Sequence, residues 1–208
     1  MRDSRHNRSV AKQSLEIFQD ELCKNRGRIE YDLPFHMGLR DVVAGMADKP
    51  ERAGEVRSML EGLEPALLLN TAWETALATG ALTHMEVKTV SGLSMTYSEQ
   101  DRFMTVTGEG IPRLLLLPGA TPREKIVQAQ QALTYLNDLV RSEQRLQAIY
   151  NEAIYSTELA KEMMAGERPR PSAIAPAVGD STAKLDTVEV DSSAGVPATN
   201  PCARSVSG

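Results

Sequence analysis

Aromatic residues are scarce in this chain: they make up 4% of its 208 residues, with a single tryptophan, Trp73. A core with so few rings must be filled by Leu, Val, Ile, Met and Ala, which favours packed helices over an aromatic-rich sandwich. Cysteine is as sparse. Cys23 and Cys202 stand far apart, so no disulfide framework is expected, and the pair suits a reducing, cytoplasmic setting. Long hydrophobic runs are missing too. The longest, at 66–69 and 114–117, fall far short of the ~20 apolar residues that cross a bilayer, so no membrane insertion is expected. The basic start MRDSRHNRSVAKQ has no apolar stretch behind it and does not read as a secretory signal.

The same scarcity limits chemistry. His6, His36 and His84 are dispersed, and neither cysteine has a neighbour at ligand spacing, so no metal site is read. Two glycine-containing stretches are candidates to cradle a phosphate: 108–110 has an acidic residue inside it, and Pro118 to Lys125 is explained by a loop followed by an ordinary helix cap. Ser9 and Lys12 match a serine–lysine spacing without its companion motifs. No catalytic residue or cofactor is assigned, and the chain is read as a non-enzyme.

What is present is helical periodicity. Ser9 caps a first helix with Val10, Ser14, Ile17, Phe18 and Leu22 on one face, ended by Asn25 and Gly27. A second starts near Pro34 and carries Phe35, Leu39, Val42, Val43 and Met46. A third follows the DKPE capping pattern at 48–51, with Val56, Met59, Leu60 and Leu63. Pro65 opens a fourth, with Leu68, Leu69, Ala72, Trp73, Ala76 and Leu77, closed by Gly80. The period then shortens to two. Met85 and Val87, then Leu93, Met95 and Tyr97 about a Ser91-Gly92 turn, then 102–107 and 113–117, predict a small antiparallel β meander.

Thr121, Pro122 and Glu124 open a final helix, and no clear stop follows before Gly166, up to about 44 residues later. Its stripe of Ile126, Ala129, Leu133, Leu136 and Val140 continues one residue out of step through Leu139, Glu143, Leu146, Tyr150, Ala153, Thr157, Ala160 and Met164. A break near Arg141–Arg145 and an unbroken rod are both compatible with that offset. After Gly166 the chain is rich in Pro, Ser, Ala and Gly without period, a disordered composition in which only 185–190 alternates.

The expected architecture is mainly helical α+β. A flexible basic N-terminus spans 1–8, a globular domain 9–140, an extension of the long helix 141–166, and a disordered tail 167–208. The expected function is a non-catalytic adaptor, chaperone-like or assembly protein that self-associates or binds another protein. A coiled-coil-like face of Leu146, Ile149, Tyr150, Ala153, Ile154 and Met164 would be its interface. The alternative is a nucleic-acid-associated regulator using Arg2, Arg5, Arg8 and Lys12 as a basic arm on a helical oligomer.

Overall fold

The computed structural model describes residues 2–49, 52, 55–61, 63–115, 121–166 and 202, with the backbone alone for 2–5, 57, 109 and 111–115. Three long helices dominate: α1 (Arg2–Ala44), α4 (Val87–Leu115) and α5 (Pro122–Ala165). Two short ones, α2 (Val56–Leu60) and α3 (Thr71–Thr79), lie between α1 and α4 in the chain. A 3₁₀ turn at Ala81–His84 follows α3. At ~1.5 Å per residue, 44-residue α5 is about 66 Å long.

α1 and α5 run antiparallel. Gln19 bonds to Glu158, Arg26 to Asn151, and His36 to Glu143, so one helix's numbering falls as the other's rises. α4 lies antiparallel on α5 as well, through Thr107–Tyr135, Glu99–Arg145 and Gln100–Tyr150.

The seam of α5 has one register throughout. Ala129, Ala132, Leu136, Leu139, Glu143, Leu146, Tyr150, Ala153 and Thr157 are all buried and alternate by three and four. Ala160 and Met164, packed against the core, continue the series. The one-residue offset at Val140 disappears because Ala132 and Leu139, not Leu133 and Val140, belong to the seam. The helix is continuous through 141–145. α1 answers with Ala11, Leu15, Phe18, Leu22, Asn25, Ile29, His36 and Val43, all buried. A 3.5-residue repeat on both helices is the pattern that lets them pack along their whole length.

The capping box of α5 forms as expected. Thr121 Oγ1 accepts from Glu124 N–H, the Glu124 carboxylate accepts from Thr121 N–H, and Gly166 closes the helix in the left-handed region at φ 77°. Gly80 likewise closes α3 at φ 72°.

Other expectations need correction. No β-strand occurs among the described residues, so the β meander is wrong: 87–115 is one helix, and residues 116–117 of the fourth supposed strand lie outside the described residues. The alternation was half a coincidence. Leu93 and Tyr97 are 2% exposed, whereas Met95 between them is 62% exposed. With Gln100, Phe103 and Thr107, the buried residues fall at helical spacing.

The first two expected helices are also one. Asn25 and Gly27 do not stop α1, and Pro34 sits inside it. The amide N–H that Pro34 lacks would have served the Glu30 carbonyl, on a side of α1 where Glu30, Tyr31 and Pro34 are exposed to solvent. Pro65 opens no helix, because 63–70 has no regular secondary structure and α3 begins at Thr71. The DKPE pattern lies partly, and the tail at 167–201 wholly, outside the described residues.

Candidate functional site

A buried polar cluster joins α1, α3, α4 and α5. The Glu21 carboxylate accepts from Tyr97 Oη–H (2.8 Å) and from the Ala72 backbone N–H (2.9 Å), so α1 supplies a cap that Asn70 does not give to α3. Asn25 Oδ1 accepts from Leu69 N–H (2.8 Å), and its Nδ2 donates to the Leu69 carbonyl and to Gln100 Oε1. Gln100 Oε1 also accepts from Tyr150 Oη–H at 2.7 Å. Burial drives the Tyr97 and Tyr150 phenols well above the usual tyrosine range, and the Glu21 charge pushes the same way. These groups are consumed in satisfying one another, and Phe18, Trp73 and Tyr97 close over them as a ring cluster with Trp73 stacked on Tyr97 at 5.5 Å. The cluster is structural.

A second buried pair lies in the α1–α5 seam. His36 Nδ1 and Glu143 Oε1 are 2.7 Å apart, with side chains 1% and 0% exposed, and Glu143 Oε2 has no hydrogen-bond partner. His36 is thus a core residue.

An open feature lies on the other face of α5. A groove of about 290 Å³ runs between α4 and α5, floored by Phe103, Leu139 and Leu146 and rimmed by Arg102, Arg141 and Arg145. Arg145 is paired with Glu99 at 2.9 Å, while Arg102 and Arg141 enter no ion pair among the described residues. Asp138 and Ser142 complete the α5 side, and Tyr135 closes one end with its hydroxyl on the Thr107 carbonyl. Burial, with the Glu143 charge behind it, pushes the Tyr135 phenol up to about 12. Three guanidinium groups above an apolar floor suit a partner with carboxylates on a hydrophobic body.

The third feature is covalent. Cys23 and Cys202 form a disulfide with a Cα–Cα distance of 5.5 Å, across 179 residues of sequence. The expectation that these cysteines make no disulfide framework is therefore wrong: distance along the chain did not keep them apart, because Cys202 packs back against the core. The even cysteine count was the signal available for it.

The expected interface divides. Leu146, Tyr150, Ala153 and Ile154 are buried within the single chain, and Met164 packs against its core. Ile149, half-buried, and Leu146 also line the groove. Arg8 and Lys12 are exposed on α1; Arg2 and Arg5 lie in its first turns, described as backbone only. Residues 2–8 are thus helix rather than a flexible arm. Arg102, Arg141 and Arg145 escaped sequence reading because a stretch taken for strands cannot align Arg102 with two arginines on α5.

Among the described residues, no group of three or more His, Cys, Asp or Glu is placed to hold a metal, and no helix is long and apolar enough to cross a membrane. No known protein family, curated protein or solved structure matches the chain.

Proposed function

We propose that this chain is a non-catalytic adaptor or assembly protein that receives an acidic, amphipathic segment of another protein in its α4–α5 groove. The observation that carries the reading is the rim of Arg102, Arg141 and Arg145 around an apolar floor. In this reading the long helix acts through its groove-facing side. Its heptad seam is filled by α1 of the same chain, so that repeat no longer argues for a second helix from outside. The Cys23–Cys202 bond favours an oxidising compartment over the cytoplasm.

The test is fluorescence anisotropy with a labelled peptide alternating Glu and Leu. Binding to the full chain should weaken as salt rises, and Arg102→Glu with Arg141→Glu should reduce affinity by about tenfold or more, or about 1.4 kcal/mol. Equal affinity for the charge-reversed protein would overturn the reading. The nucleic-acid alternative has its own outcome: salt-sensitive binding of duplex DNA, abolished by Arg8→Glu with Lys12→Glu, would replace the proposal.

A further inference from the structure

We propose that the Cys23–Cys202 disulfide is a redox clasp: it holds Cys202 against α1 beside the α1–α5 seam, and a dithiol reductant opens it while the helical bundle stays folded. This rests on the disulfide's placement and is independent of what the groove binds.

Three observations converge. Both cysteines of the chain are engaged, and the bond joins points 179 residues apart. The contacts that hold α1 to α5 do not need it. Gln19 with Glu158 and Lys161, Arg26 with Asn151, His36 with Glu143, and the apolar seam all lie within residues 2–166. The two residues also differ in burial. Cys23 is buried on the flank of α1 between Gln19 and Arg26, whereas Cys202 packs against the core only partly buried. A thiolate arriving from solvent therefore reaches Cys202.

The chemistry balances as ordinary exchange. One thiolate of the reductant attacks Cys202 Sγ, a new S–S bond forms, and the Cys23–Cys202 bond breaks. The electron pair leaves on Cys23 Sγ, which takes a proton. The reductant's second thiolate then displaces Cys202 Sγ, which is protonated in turn. The reductant departs as a disulfide, having supplied two electrons and two protons. Cys202 is then no longer bonded to α1.

The experiment uses the full chain. Folded under oxidising conditions and digested with trypsin without reductant, it should give peptides 13–24 and 185–204 as one linked species. Dithiothreitol added to the native protein, without denaturant, should separate them. Cys202 should then alkylate faster than Cys23, with the far-UV helix signal unchanged. Cys202→Ser should show the same helix signal and no linked species. Absence of the linked peptides, resistance to dithiothreitol until denaturant is added, or loss of helix on reduction would each overturn the proposal.

Discussion

Asn25 shows how one side chain can mislead a reader of sequence and yet organise a fold. Followed by a glycine, it has the look of a helix stop. Inside α1 its amide instead pairs with both the N–H and the carbonyl of Leu69, giving the irregular 63–70 segment backbone partners that it lacks within itself. Nothing local encodes this, since the partner lies 44 residues away. Asn25→Ala leaves the Leu69 N–H unpaired, while the Leu69 carbonyl keeps the Gln100 Nε2 donor, and should cost about 1–3 kcal/mol in urea unfolding. Hydrogen exchange at Leu69 should rise more than elsewhere.

The buried tyrosines give a residue-scale pH prediction. A folded-state pKa raised above the usual ~10 means that burying the neutral phenol stabilises in full below about pH 10 and fails as pH rises through the folded value. Tyr135, pushed up to about 12, sets the window at its upper side. Trp73 fluorescence, reporting from its stack on Tyr97, should stay native to about pH 10 and change between there and about pH 12. Tyr135→Phe should move the onset upward. Unfolding complete below pH 10 would contradict the burial of these phenols.

At the scale of elements, α5 was legible and α4 was not, for the same physical reason. Thr121, Glu124, Pro122 and Gly166 act on backbone within four residues of themselves, so the ends of α5 are written locally. Across 87–115, two-residue alternation and glycines suggested strands and bends, and only tertiary contact explains them. Gly110 is one case: it lies in α4 where the Tyr135 ring packs so closely that an added Cβ would overlap it. Glycine there permits the close approach of α4 and α5. Gly110→Ala should therefore destabilise by about 1–2 kcal/mol, the overlap outweighing the helix propensity gained. In a Tyr135→Ala background the same change should be neutral or stabilising. A stabilising effect in the wild-type chain would show that the ring yields freely. The groove is legible only after α4 is known to be a helix, because its rim is shared between two elements.

At the scale of the whole molecule, the clasp should add little stability despite its span. In the unfolded chain it closes a loop of 179 residues, whereas only 36 residues of sequence separate Gly166, at the end of α5, from Cys202. In the loop-entropy model that ratio is worth about 1.4 kcal/mol, so reduction should lower Tm by roughly 3–6 °C. A fall several times larger would mean that the segment before Cys202 makes substantial contacts of its own.

The buried His36–Glu143 pair has a consequence for alignment. A heptad seam is nearly self-similar: sliding α5 along α1 by seven residues, about 10 Å, would again set apolar side chains against apolar side chains. Two long helices packed this way can slip like a vernier with no mark on it. Only a slide of zero brings the Glu143 carboxylate to His36; any other strands both in an apolar interior, at a cost of about 3–5 kcal/mol. Replacing both with leucine should leave a bundle as stable as before, yet spin-label distances between α1 and α5 should broaden into more than one population. The pair is then a buried index line beside the Gln19–Glu158 and Arg26–Asn151 bonds: it adds little to how strongly the helices hold, and it helps fix where along 66 Å they stop.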